Sequence, residues 1–485
     1  MSISGSLFNA YSGLVAASRS AGAISQNVSN ALTEGYGRRE AELSAAALNG
    51  RGAGVRVAGI QRQTDQIAIA DRRLAQAALG HRSALGSAFG RLESAIGVPG
   101  ENGALTDMAD AFEAALASAA SRPDSQLRLQ NVLYAASDLV GHINRISDEV
   151  QNLRMAADSE IARQVDTLNT TLSEVAELNR SIRLHVGKGR DINGLMDQRQ
   201  VLVDRIADFL PIRTTQQEFG QITIATAGGA ILLAGQPAEF GFTATGLITP
   251  DMTLASGALS GLQLNGKPIG IGSGTGLLEG GSLAAQFAIR DQHAPAAGAQ
   301  TDALARNLIE RFEDPALDPT LAPGDPGLFT DNAAALDISL ETGLAERLRV
   351  NLAVDPDKGG ALWRLRDGLG AAMPADPGDN TLLGAFRNTL TQGRVAMSGQ
   401  YSASLNSFGA TSGELTAANA GLRLNAEQSQ AFARSRFQEL KLIEAESGVD
   451  TDQEMQKLLL VEQAYAANAR VISTLDQMLQ TLLEI

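Results

Sequence analysis

The sequence predicts a mainly α protein with terminal coiled-coil helices, a helical bundle and a small all-β domain inserted midway. Three observations predict it. Apolar residues recur in steps of three and four at both ends of the chain. A central stretch keeps the same rhythm long enough to form a single rod. After Pro211 the pattern changes to short β-branched runs punctuated by glycine.

The first helix reads from about Ser4 to Leu32, with a seam through Ile3, Leu7, Ala10, Leu14, Ala17, Ala21, Ile24, Val28 and Ala31. Thr33-Glu34-Gly35-Tyr36-Gly37 stops it, because glycine ends helices cheaply. The glycine-punctuated stretch 47–59 reads as a short hairpin or extended loop. Helix resumes near Asp65, breaks around Gly97-Val98-Pro99-Gly100, and returns over 103–121. A long helix over 124–184 follows, ~90 Å at 1.5 Å per residue. Arg154 is the one poor fit in its apolar seam.

Ile222-Thr-Ile-Ala-Thr226 and Ala230-Ile-Leu-Leu-Ala234, separated by Gly228-Gly229, place the β domain at 212–281, expected to project outward. Helix returns over 282–312, then at 361–369, 381–408 and 414–447. Thr451 with Glu454 has capping-box spacing and opens the last helix. Its seam is Leu458, Val461, Tyr465, Asn468, Ile472, Leu475, Leu479 and Leu482. The expected organisation is a terminal segment 1–60 paired with 449–485, a bundle built from 61–211 and 282–448, and the β domain between its halves.

Composition excludes several functions. A net charge of −15 over 485 residues disfavours nucleic acid, whose binding needs a basic face. With no cysteine, disulfides, thiolate metal sites and cysteine nucleophiles are absent. His81, His142, His185 and His293 are too scattered in sequence to suggest a metal site. Nothing reads as a membrane span or a cleavable leader. Gly270–Gly276 lacks both the spacing and the lysine of a phosphate loop. The expectation is a protein with no catalytic site, cofactor or metal.

Asn27-Val-Ser-Asn30-Ala-Leu-Thr33-Glu-Gly35-Tyr36 resembles the N-terminal signature of flagellar rod, hook and hook-associated proteins, with Leu32 where a small polar residue is common and Glu34 replacing a proline. The stretch 459–479, Leu-Leu-Val-Glu-Gln-Ala-Tyr465-Ala-Ala-Asn468 onward, resembles the C-terminal signature of the same group. Asn193-Gly-Leu-Met-Asp197-Gln198-Arg199 resembles the central motif of the hook-associated protein 1 family.

That resemblance implies a structural subunit joining hook to filament. It implies a ring of copies at the distal hook end, contacts with the hook protein and a second junction protein, and uncleaved type III export from the cytoplasm. It also implies an export chaperone on the C-terminal helices, and terminal helices that line the inner tube and order on assembly. A hook or rod protein, or a secreted coiled-coil protein unrelated to flagella, is the alternative.

Within this frame, Asn27, Asn30 and Thr33 are expected to cap the helix end and its turn. Gly35 supplies a backbone angle closed to other residues, and Tyr36 completes the signature. Asp197 and Arg199 are expected to anchor the place where the long helix turns back, rather than to do chemistry. Asn468 either fixes register in the last seam or is simply exposed at a loose interface.

Overall fold

The computed structural model describes residues 3–48, 51–101, 103–271 and 276–483. Helix α1 (Ile3–Ser29) leads into a two-stranded antiparallel hairpin, β1 (Arg38–Leu48) and β2 (Arg51–Gln63). Then come α2 (Gln66–Ile96), α3 (Leu105–Ser121), the 62-residue α4 (Gln126–Gly187) and α5 (Asn193–Phe209).

The β segment has two small antiparallel sheets. One is β3 (Ile212–Gln216), β4 (Ile222–Thr226), β5 (Ile231–Ala234) and β6 (Gln236–Pro237); the other is β7 (Phe240–Gly241), β8 (Gln263–Leu264) and β9 (Lys267–Pro268). Next, α6 (Gly281–Ala288) passes through one π-turn (Ile289–His293) into α7 (Ala294–Phe312). Strand β10 (Phe329–Asp331), α8 (Leu344–Arg347), β11 (Leu348–Val350), α9 (Arg364–Asp367) and α10 (Thr381–Thr391) follow. Two long helices, α11 (Phe408–Glu446) and α12 (Thr451–Leu483), end the chain.

Helix α4 is the spine of two cores. Its first half, Leu129 to Ala157, packs with α3, α7, α10 and the 328–369 region. Its second half, Ile161 to Ala176, shares a core with α5, α6 and the strands, through Ile212, Ile224, Leu232, Leu233 and Phe240. Arg154 lies where the two cores meet. It is 1% exposed, and its guanidinium donates to the carbonyls of Thr249 (2.9 Å) and Met252 and, through Nε, of Arg290 (3.3 Å). One turn on, buried Asp158 pairs with buried Arg290 at 2.7 Å, and the Arg290 guanidinium lies 4.9 Å from the Phe287 ring centre. The misfit in the apolar seam is a polar layer whose bonds are all internal.

Several elements differ from expectation. The hairpin covers 38–63 rather than 47–59. The helix expected over 361–369 is the single turn α9. The one expected over 381–408 stops at Thr391, and α11 starts at Phe408 rather than 414. The reason lies in Arg311, fully buried with no acidic partner among the described residues. Its guanidinium donates to the carbonyls of Thr389 (2.6 Å), Gln392 (2.7 Å) and Asn406 (2.7 Å), so the chain between the helices wraps around one cation. Burial pushes its pKa down to about 10. Most of Gly270–Gly276 lies outside the described residues.

Candidate assembly interface

The two ends of the chain meet. Helix α1 packs along α12, and the least exposed positions of α12 are Glu454, Lys457, Leu458, Val461, Asn468, Ala469, Ile472 and Leu475, at steps of one, three or seven that keep them on one side of the helix. Of the predicted seam, Tyr465, Leu479 and Leu482 are exposed. On α1 the seam holds through Ala10, Ala17 and Ile24, which are buried. Asn468 makes no bond across the pair. Its amide donates to Ala464 O of its own helix at 2.9 Å, and its head lies over Gly13, where an added Cβ would meet it at 2.7 Å. A helix crossing this close needs the missing side chain.

Asn27 is not a cap. It is fully buried and makes four bonds. Its Nδ2 donates to Arg39 O (2.9 Å) and to Glu454 Oε2 (2.8 Å), while its Oδ1 accepts from Arg39 N (2.8 Å) and the Tyr36 hydroxyl (2.9 Å). One side chain thereby ties α1, the start of β1 and α12. Glu454, 2% exposed, also accepts from Lys457 at 2.9 Å. The capping-box reading fails here: Glu454 reaches across to Asn27, and Asp450 Oδ1 caps α12 by accepting from Asp452 N and Gln453 N.

Asn30 bonds the backbone at the end of α1, whereas the Thr33 hydroxyl bonds the Asn30 side chain and no backbone group among the described residues. Asn30 Nδ2 donates to Gln26 O, and the Thr33 hydroxyl donates to Asn30 Oδ1 at 3.3 Å. Gly35 has φ 74°, and an added Cβ would lie 2.5 Å from Val201 Cγ2 on α5, so its position has two requirements that only glycine meets. Burial raises the Tyr36 hydroxyl pKa, and Arg39, 5.0 Å from its ring centre, pulls the other way.

The central motif divides between two tasks. Arg199 anchors the turn-back, with Nη1 donating to Asn179 Oδ1 on α4 (2.9 Å) and to Gly220 O (2.7 Å). Burial, helped by the nearby cations Arg62 and Arg73, pushes its pKa down to about 10. Asp197 holds the hairpin instead. Arg39 and Arg62 face each other across β1 and β2, an arrangement of like charges that opposes pairing. Asp197 sits between them, its Oδ2 3.1 Å from Arg39 Nη2 and its Oδ1 2.7 Å from Arg62 Nε, and Oδ1 also accepts from Gly37 N at 3.0 Å. Asn193 adds a bond from Nδ2 to Ile60 O on β2 (2.9 Å). Gln198 is exposed and takes no part.

Sequence reasoning missed the rest of this joint. Arg62 also donates to Gln200, whose amide reaches Glu444 at 3.3 Å. Arg72 bridges Glu444 (2.6 Å) and Asp204 (2.8 Å), and Arg73 pairs with Asp204 at 2.6 Å. The ladder runs from the hairpin through α5 to α2 and α11, fixing the terminal pair to the helical body. Partners 131 to 372 residues apart leave no local pattern to read. Among the described residues no acidic or histidine cluster could hold a metal, and no helix is long and apolar enough to cross a membrane.

Residues 89–316 match the family model described as the flagellar hook-associated protein FlgK helical domain, a span that encloses Asn193–Arg199. Residues 444–485 match that of the flagellar basal body rod FlgEFG protein C-terminal. Flagellar hook-associated protein 1 of Bacillus subtilis is 21% identical over 496 residues, covering 94% of this chain and 93% of that protein. Its namesake in Escherichia coli K12 is 26% identical over 56% of this chain and 51% of its own length. For Salmonella typhimurium the figures are 26%, 48% and 43%, so these two alignments span about half of each relative. The solved flagellar hook junction protein FlgK from Burkholderia pseudomallei aligns with a TM-score of 0.43 at 21% identity, over 54% of this chain and 47% of that one.

Proposed function

Because the chain belongs to the flagellar hook-associated protein 1 family, we propose that it is the structural subunit joining hook to filament, assembling as a ring at the distal hook end. As a family member it is a component of the bacterial flagellum. The match over 444–485 alone would fit a rod or hook protein equally well, and the match over 89–316 favours the junction subunit.

One structural observation carries the reading. The terminal pair that Asn27 and Glu454 lock together leaves apolar faces uncovered on both helices. Phe8 and Tyr11 on α1 are 58% and 61% exposed, and Leu459, Leu460 and Leu482 on α12 are 57%, 65% and 58% exposed. Faces of this kind mark surfaces that are covered on association. In this reading they pack against neighbouring copies and against the hook protein and second junction protein along the tube. Before export by the type III route, a chaperone covers the α12 face.

Gold labelling of an epitope on the β segment of intact flagella tests the placement. A single narrow band at the hook–filament boundary is expected, and label spread along hook or filament would contradict it. The chaperone part is tested by ending the chain after Gly448, which should abolish chaperone binding while the body stays folded. Unchanged affinity would refute that part.

A further inference from the structure

A ring needs a contact between neighbouring copies, and two surfaces outside the terminal pair are complementary to each other. On α11, Phe432 is 77% exposed and stands beside Arg436 and, across the groove to α2, Arg82. Elsewhere, α4 and α5 leave an open apolar groove of about 510 Å³. Leu178, Val201 and Leu202 form its floor, and Glu174, Glu177 and Gln198 its rim. Among the described residues Arg82 and Glu174 have no ion-pair partner within the chain. Arg436 and Glu177 are engaged only by exposed neighbours on their own helices, Glu439 and Arg180, in pairs of the kind that contribute little and exchange readily.

We infer that Phe432 of one copy seats in the α4–α5 groove of the next, with Arg82 and Arg436 facing Glu174 and Glu177. Aromatic and arginine side chains are the usual centres of such contacts. Knob and groove share no residue, so each copy offers both at once. A head-to-tail contact of this kind repeats around an axis and closes into a ring when its rotation divides the circle. Gln198, the residue of the central motif with no role inside the chain, gains one at the rim. The inference deepens the junction reading and rests on it.

The chain has no cysteine, so introduced thiols are its only ones. Gln428→Cys, exposed beside Phe432 and leaving the knob in place, and Gln198→Cys are put in the same chain, alone and together, and hook–filament complexes from cells expressing them are oxidised and run without reductant. The double variant should give a ladder of covalent dimers and higher multimers, and neither single variant should. Charge reversal gives a second measurement: Arg82→Glu or Glu174→Arg alone should cost cells their filaments, and the two together should restore them. A double-cysteine strain that bears filaments but gives no cross-linked species overturns the inference and leaves the junction role standing. Reversals that fail to rescue each other overturn it too. If deleting the gene leaves filaments intact, the junction reading itself fails and the inference with it.

Discussion

Replacing Asp197 by alanine removes the one carboxylate between two arginines that face each other across the hairpin. Three charge-assisted bonds go with it, from Gly37 N, Arg62 Nε and Arg39 Nη2. Bonds of this type contribute about 1.5–3 kcal/mol each, and stripping one member from a buried ion pair costs about 3–5 kcal/mol. Two features place the net effect at the low end. The Asp197 side chain is 14% exposed, so water can enter. Each arginine also keeps another partner: Gly35 O and Gln200 for Arg62, and Gln26 for Arg39.

A loss of about 3 kcal/mol for hairpin opening corresponds to roughly a hundredfold faster exchange of the ladder amides, at ~1.4 kcal/mol per factor of ten. Hydrogen exchange resolved by peptide, over 38–63 and over α4, is the assay. The hairpin should lose protection while α4 keeps it. Asp65→Ala serves as the control, since it removes a solvent-facing cap of α2 worth only about 1 kcal/mol. If the Asp197 variant exchanges its hairpin amides no faster than this control, the carboxylate is not what holds the hairpin to the body.

Gly35→Ala combines a left-handed backbone with a methyl 2.5 Å from Val201, so a destabilisation of about 2–4 kcal/mol and lost swimming are expected. Gly35→Ala with Val201→Ala should recover part of that loss, as measured by motility in soft agar. Gly13→Val should push α12 off α1 at Asn468 and prevent filament growth, while circular dichroism of the purified chain shows the body still helical. Asp302 accepts from Gly343 N (2.8 Å) and Ala345 N (2.9 Å) with no ion pair of its own among the described residues, and burial raises its pKa to about 6. A folded pKa above the unfolded value of 3.8 means that this group adds stability at low pH, which is lost as pH rises through about 6. The ceiling is about 3 kcal/mol at 1.36 kcal/mol per unit. Melting wild type and Asp302→Asn at pH 5 and pH 7.5 should show a smaller pH response in the variant, and equal responses would place the titration elsewhere.

The helices were legible because an apolar stripe repeats along them, buried the length of α4 and only partly covered along α12. The α1 seam, the long α4 and the α12 seam all carried it, and Gly35 was readable because a helix stop followed by an aromatic residue calls for a special backbone angle. Strands β1 and β2 were half missed: Arg38-Arg-Glu-Ala-Glu and Gly59-Ile-Gln-Arg-Gln alternate little that is apolar, since charged bonds to α5 and contact with α1 hold the hairpin in place of a core of its own. Thr451 and Glu454 showed the right spacing for a capping box, yet a buried amide 427 residues away competes for the same carboxylate. Arg154 broke the apolar pattern of α4, and Arg311 set helix ends that were not foreseen, because each is satisfied by backbone carbonyls from segments far away in sequence. In the joint itself, Asp197 and Arg199 were found as anchors, but which element each one anchors depends on tertiary neighbours.

Deleting the gene, then imaging the cells by electron microscopy while assaying flagellin in the medium, tests the junction role most directly. Hooks of normal length with no filaments, and flagellin spilled into the medium, are the predicted result. Missing hooks would place the protein in the rod or hook, and intact filaments would contradict the account altogether.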